Sequence, residues 1–195
     1  MLILDKWKAI PRPVRVFLLK ALVLFIVWKS VYLLFLLPGR VLDGPLTFAV
    51  GKGAAATLDF VTRSQSFTAK DAIRFEPEGR AHYYHVMEID AGRQPALSIA
   101  DVCNGLELIV LYIGFILCFP AKAWRRLVFI FTGASLIYLV NVARCAGLTL
   151  IYLHSPALLD FSHHYLFTFL VYGFVFFLWY IFTHKPVLTH VQAQS

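Results

Sequence analysis

The chain has 195 residues, 59% of them hydrophobic, and a formal net charge of +7 at pH 7. Its apolar residues form long uninterrupted runs, which a water-soluble domain of this size could not shield from water. The basic residues flank these runs instead of lining one polar face, which argues against nucleic acid as a partner and indicates membrane topology. Only three cysteines are present, so the composition predicts no disulfide framework.

The first apolar run extends from Val14 to Leu37 and follows a cluster of basic residues. A signal peptide would carry an apolar stretch of about 7 to 15 residues and then a cleavage site. This run is long enough to cross a bilayer, so we expect it to remain as the first transmembrane helix. Residues 1–37 then comprise a cytoplasmic N-terminus and this helix.

A long polar segment, residues 38–101, separates the first apolar run from the others. The stretch from Val41 to Thr62 mixes large apolar side chains with small residues and charges, which predicts an amphipathic helix at the membrane interface. Three stretches that read as short strands of a small β-meander follow, separated by turn sequences at residues 76–80 and 90–93. They are Ala72–Phe75, Ala81–Ile89 and Ala96–Ile99.

Three further apolar runs predict transmembrane helices two to four: Leu106–Phe119, Leu127–Leu153 and His164–Phe182. The first of these is short, and counting back through Ile99 extends it to about 20 residues, which is enough to span a bilayer. This count places Cys103 in or beside its first turn.

The link from Pro120 to Arg126 carries three basic residues and no acid, so the positive-inside rule places it in the cytoplasm. With four crossings both termini are cytoplasmic, and residues 38–101 lie outside. Residues 102–184 form the transmembrane core, and residues 185–195 form a cytoplasmic tail. The expected fold is an all-α membrane protein of about four transmembrane helices, whose outer loop contains an amphipathic helix and a small β-meander.

Cys103 lies at the expected start of helix two, where polar residues and a glycine meet an apolar run. A helix N-terminus supplies partial positive charge and free amides, which lower the pKa of a thiol and can bind an oxyanion. A packing role for this cysteine is an equally open alternative. Glu107, one turn further along, is expected to pair with a cation of the outer loop or of a helix.

Arg144 is a charge inside a transmembrane run, where it costs a few kcal/mol and needs a partner or a purpose. Counting about 20 residues from Leu127 places it in the outermost turns of that span, on the same side of the membrane as Cys103. Asn141 shares its helical face and can hold the guanidinium or a bound backbone carbonyl. An arginine that only snorkels to the outer interface is the alternative.

His163 and His164 begin the fourth span, so they also lie at the outer interface. Histidine titrates near neutral pH, which suits a proton-transfer partner for a cysteine, although either residue could instead be an interfacial anchor. The other histidines lack the spacing of a metal site. A cysteine, an arginine and a histidine on three helices at one depth fit acyl transfer through a thioester, with nucleophile, oxyanion donor and proton carrier supplied in that order.

Three short motifs occur in order at these positions: Cys103-Asn104-Gly105-Leu106, Asn141-Val142-Ala143-Arg144 and Phe161-Ser162-His163-His164-Tyr165. Over the part of the chain from Asp101 to the last helix, the sequence resembles the exosortase/archaeosortase family of membrane cysteine transpeptidases. The resemblance implies a catalytic set and a substrate-binding set. The first is Cys103, Arg144 and His163, with His163 favoured because it comes first, and the second is Asn104, Asn141 and His164.

The resemblance also implies the partner and the location. The substrate would be a membrane-anchored protein with a C-terminal sorting signal, made of a short motif, a transmembrane segment and a basic cluster. It would be cut at the outer face of the cytoplasmic (inner) membrane, in systems associated with bacterial exopolysaccharide and surface-protein export. No metal or organic cofactor is needed, and no oligomeric state is indicated.

Two other functions stay open from the sequence. A non-enzymatic assembly or transport module would use Arg144 as a structural or gating charge, and its thiol would be dispensable. A lipid-modifying acyltransferase would carry a fatty acyl group on Cys103.

Overall fold

The computed structural model describes residues 11–64, 66–76 and 82–184. The basic residues at positions 6 and 8, most of the predicted turn at 76–80 and the predicted tail 185–195 lie outside the described residues. Five longer helices and three strands follow in chain order: α1 (Arg12–Val31), α2 (Asp43–Thr62), β1 (Phe67–Glu76), β2 (His82–Ala91), β3 (Gln94–Ala100), α3 (Leu106–Cys118), α4 (Ala123–His154) and α5 (Phe167–His184). Short turns join them: π-helical Tyr32–Leu36, 3-10 Asp101–Cys103 and Pro156–Leu158, α-helical Leu159–Phe161, and π-helical Ser162–Leu166.

Three continuous helical segments are long and apolar enough to cross a membrane: Arg12–Leu36, Ala123–His154 and Pro156–His184. The first has no buried residue along α1 and presents its large apolar side chains outward. Such a surface requires a nonpolar solvent, because water would not tolerate an apolar face of this size. The prediction of a membrane protein is therefore supported by the lengths and the exposed apolar surfaces of the helices as well as by their composition.

The predicted second transmembrane helix is shorter than expected. With 13 residues, α3 is about 20 Å long, against about 30 Å for the hydrocarbon core of a bilayer. The extension back through Ile99 was wrong, because Ile99 is buried in β3, opposite Met87. Gly105 then takes a left-handed conformation (φ +86°) that ends any helix begun at Cys103. Among the described residues, three helices and not four reach spanning length.

The segment between α1 and α3 folds as a helix that packs against a sheet. The predicted helix and β-meander are both present, and the strands lie in the order β1-β2-β3, all antiparallel. α2 is more than a surface helix, because one of its faces packs against the sheet and α4. Gly51 allows the close approach, since a Cβ there would lie 2.9 Å from the Met87 side chain. The shared core includes Val50, Ala54, Leu58, Ile89, Ile99, Val142 and Cys145.

A second apolar core joins α3, α4 and α5. It contains Tyr112, Ile116, Ile137, Val175 and Phe182. The Tyr112 ring lies against Gly133, where a Cβ would come within 2.3 Å of it, and its hydroxyl donates to the carbonyl of Phe129 at 2.9 Å. This core holds together α3, α4, which carries Asn141 and Arg144, and α5, which follows the turn with the two histidines.

Candidate active site

Cys103 is the last residue of a 3-10 turn that connects β3 to α3. The turn is tied to the N-terminal end of α2 through Asp101, which accepts two hydrogen bonds from the guanidinium of Arg40 (2.7 and 2.8 Å) and one from Thr47 Oγ1 (2.7 Å). Burial raises the pKa of Asp101, but the hydrogen bonds from Arg40 and Thr47 outweigh it, and the pKa lies below its ordinary value. Asp101 therefore stays ionised at neutral pH and anchors the turn.

His163 reaches the thiol from the opposite side. Cys103 Sγ lies 3.9 Å from His163 Nε2, within the distance at which a thiol and an imidazole interact. His163 belongs to the π-helical turn Ser162–Leu166, a wider turn of the kind that often occurs at functional positions in helices. His164 is exposed, and its Nε2 lies 3.2 Å from Asp160 Oδ1. Of the two predicted histidines, the structure brings His163 to Cys103.

Asn141 connects α4 to the nucleophile. It is fully buried, and its Nδ2 donates to the carbonyl oxygen of Cys103 at 3.0 Å. Its Oδ1 accepts from Arg144 Nη1 at 3.3 Å, so the shared helical face predicted for Asn141 and Arg144 is present. Gly105 lies against the same side chain, since a Cβ at that position would sit 3.2 Å from it. Asn141 thus holds the Cys103 backbone and the arginine together.

A cavity of about 200 Å³ lies beside this cluster. Its walls come from the start of α3, from Arg144 and from α5: Val102, Gly105, Glu107, Leu108, Arg144, Phe167, Thr168, Val171 and Tyr172. Arg144 Nε is buried and has no hydrogen-bond partner among the described residues. A guanidinium that lines a cavity beside a thiol is suited to hold a carbonyl oxygen or an oxyanion.

An apolar groove between α1 and α3 lies next to the cavity. Glu107, Leu108 and Tyr172 line both the cavity and a neighbouring cleft whose other walls include Phe25 and Trp28. The groove carries one ion pair, Lys29 to Glu107 at 3.5 Å, which is the helix cation expected for Glu107. The cavity beside Cys103 therefore shares part of its wall with an apolar groove of the bundle.

Asn104, predicted to bind substrate, is buried and occupied by protein partners. Its Nδ2 donates to Asp43 Oδ1 (3.0 Å) and to Thr47 Oγ1 (3.2 Å), and its Oδ1 accepts from the backbone amide of Leu106 (2.8 Å). The predicted substrate contact stays untested, and the geometry favours a role in holding the turn. Asp43 and Thr47 could not be identified from the sequence, because no local pattern pairs residues so far apart with the cysteine motif.

Comparison with known proteins agrees with the motifs. The family model for transmembrane exosortases matches residues 14–184, which cover the five long helices except the first two residues of α1. No curated protein and no solved structure matches the chain. Within the described residues, no group of three or more His, Cys, Asp or Glu side chains could hold a metal ion. The match covers most of the chain, and this protein belongs to the transmembrane exosortase family.

Proposed function

We propose that the protein is a membrane-embedded cysteine peptidase or transpeptidase that processes C-terminal sorting signals of exported proteins. The observation that carries the proposal is the 3.9 Å approach of Cys103 Sγ to His163 Nε2, next to a cavity lined by Arg144. Family membership supports the same reading. Cys103 is the nucleophile, His163 carries the proton, and Arg144 stabilises the oxyanion.

The reaction follows from these positions. His163 Nε2 accepts the thiol proton, and the Cys103 thiolate attacks the carbonyl carbon of the scissile peptide bond. The negative charge that develops on the carbonyl oxygen is stabilised by Arg144, whose Nη1 is fixed by Asn141. Collapse of the tetrahedral intermediate breaks the C–N bond, and His163 gives its proton to the leaving amine. A thioester remains on Cys103 and passes its acyl group to water or to another amine or hydroxyl nucleophile.

The substrate is a membrane-anchored protein. The apolar groove of α1 and α3 shares Glu107, Leu108 and Tyr172 with the Arg144 cavity. This position supports entry from within the bilayer, because a peptide with an apolar span could stay in lipid while its scissile bond enters the cavity. The proposed setting is the cytoplasmic membrane, with both termini in the cytoplasm and Cys103 facing the periplasm or exterior. The basic link between α3 and α4 supports this orientation.

A processing assay tests the proposal. A tagged sorting-signal protein from the same genome is co-expressed with the enzyme, and the shortened product is followed by immunoblot. The variants Cys103→Ala, Arg144→Ala and His163→Ala should insert normally and lose processing, with His163→Ala lowering the rate by about 10²- to 10⁴-fold. His164→Ala should have a smaller effect than His163→Ala, because the exposed ring of His164 contacts Asp160 and not the thiol.

Two matched variants serve as controls. Cys118→Ala removes a buried thiol at the far end of α3, and His154→Ala removes an exposed imidazole at the end of α4. Both should process the substrate normally. Full processing by the Cys103→Ala variant would refute the enzyme proposal and favour a non-enzymatic role. A fatty acyl group on Cys103, without any peptide adduct, would instead identify a lipid acyltransferase.

A further inference from the structure

Asp43 is a buried carboxylate that the proposed reaction does not use. It is the first residue of α2 and is 2% exposed. Its Oδ2 accepts from the Tyr32 hydroxyl at 3.0 Å, and its Oδ1 accepts from Asn104 Nδ2 at 3.0 Å. Both of these partners are neutral. A carboxylate is costly to bury unless hydrogen bonds and local dipoles compensate it, and the N-terminus of α2 supplies such a dipole.

The hydrogen bonds around Asn104 form a chain with a defined direction. Asn104 Nδ2 donates to Thr47 Oγ1, and Thr47 Oγ1 donates to Asp101 Oδ1. The other Nδ2 hydrogen goes to Asp43, so the amide of Asn104 can take only one orientation. Asp101 and Asn104 flank the cysteine within its turn, and α2 thereby holds both sides of Cys103.

His163 lies outside this network. It comes from the turn before α5, whereas the Cys103 turn is fixed by α2 on one side and by Asn141 of α4 on the other. The distance from Cys103 Sγ to His163 Nε2 therefore depends on how firmly α2 holds the turn. Catalytic groups that must meet within a fraction of an ångström need such supporting contacts.

We propose that Asp43 is a positioning residue for the nucleophile: through the amide of Asn104 it fixes the turn that holds Cys103 against His163. This inference rests on the proposed function for its effect on turnover. Its effect on the reactivity of the Cys103 thiol does not require a substrate. The two consequences can therefore be measured separately.

The first experiment exchanges the two partners. In the single variant Asn104→Asp, two carboxylates face each other at hydrogen-bond distance, and the contact is lost. In the double variant Asp43→Asn/Asn104→Asp, the new amide at position 43 can donate to the new carboxylate and still accept from Tyr32. We expect the single variant to lower kcat for the tagged substrate about tenfold or more, with KM within about twofold, and the double variant to recover most of the loss.

The second experiment needs no substrate. The full-length protein is reconstituted in vesicles, and the rate at which iodoacetamide alkylates Cys103 at neutral pH is followed by mass spectrometry. The wild type is compared with Asn104→Asp and with Asp43→Asn/Asn104→Asp, which differ at the contact between positions 43 and 104. We expect Asn104→Asp to lower the rate several-fold, because the displaced thiol no longer passes its proton to His163, and we expect the double variant to recover most of the loss.

Asp90→Asn is the matched control, since it neutralises another buried carboxylate, in β2, whose partner is Lys70 at 2.7 Å. It should leave the alkylation rate and kcat at wild-type values. A role limited to folding would lower the yield of inserted protein without moving kcat or the alkylation rate per molecule. The proposal is overturned if Asn104→Asp alkylates like the wild type, or if the exchanged pair is no more active than Asn104→Asp. Inactivity of the wild type toward every sorting substrate would instead remove the proposed function and leave the alkylation result standing.

Discussion

Replacing Asn141 with leucine should destabilise the protein and separate Arg144 from the nucleophile. Leucine has a similar volume, so the change removes two hydrogen bonds without opening a large cavity. It leaves the carbonyl oxygen of Cys103 and the Nη1 donor of the Arg144 guanidinium without their partner. Each buried polar group left unsatisfied costs about 1 to 3 kcal/mol, and more when it is charged. The two groups together give an expected loss of about 2 to 6 kcal/mol of unfolding free energy.

The assay is unfolding in detergent micelles, followed by the rate at which the buried thiol of Cys145 becomes reactive. Asn141→Asp separates the two bonds, because a carboxylate still accepts from Arg144 but cannot donate to the Cys103 carbonyl while it is ionised. This variant should keep Arg144 in place and lose only the hydrogen bond to the Cys103 carbonyl oxygen. An unfolding free energy for Asn141→Leu within about 0.5 kcal/mol of the wild type would refute the reasoning, since that is the range of substitutions at surface positions without contacts.

Three other outcomes are expected. Gly133→Ala forces a Cβ to within 2.3 Å of the Tyr112 ring and should lower the free energy of thermal unfolding by about 1 to 3 kcal/mol. Gly173→Ala, with open space around its Cβ, should not destabilise the protein. Equal melting temperatures for the two variants would contradict this packing. Because the pKa of Asp101 is lowered on folding, its stabilisation is complete above the ordinary aspartate pKa and is lost as pH falls through the folded value. In the variant Asp101→Asn, the free energy of unfolding should fall less steeply as the pH is lowered into the acid range. An unchanged fall would contradict the anchoring role of Asp101. A membrane-impermeant thiol reagent should label Cys103 alone in intact cells, because the other two cysteines are buried; labelling only after permeabilisation would reverse the proposed orientation.

The parts of the fold that follow from local pattern were predicted well. The apolar runs gave three spanning helices, and the alternation of turns and short apolar stretches gave the meander, although β1 begins at Phe67, earlier than expected. The start of α3 could not be predicted by counting residues. An apolar Ile99 fits a helix and a strand equally, and only its pairing with Met87 across the sheet decides between them.

Some residues of the candidate site could likewise be placed from the sequence, and others could not. Counting residues along the spans places Arg144 and His163 at the same end of the bundle, because the rise per residue of a helix is fixed. The position of Cys103, in the 3-10 turn before α3, could not be obtained in this way. The choice of His163 over His164 depends on the π-helical turn, which widens the helix locally and has no clear sequence signal. The contact of Asp43 with Asn104 joins residues 61 positions apart, and the intervening sheet determines it.

The position of the site between the two apolar cores explains why α4 is the longest helix. Its 32 residues extend for about 48 Å, so that Ile137 belongs to the core of α3 and α5, and Val142 and Cys145 belong to the core of α2 and the sheet. Asn141 lies where the two cores meet. Cys103 therefore follows the last strand of the sheet, and His163 precedes the last helix of the bundle. Asn141, which binds the backbone carbonyl of Cys103, stands on α4, the described helix that contributes to both cores. A shift of either core relative to the other would change the Cys103 to His163 distance, because the two residues meet only through their side chains and stand on different turns of the chain.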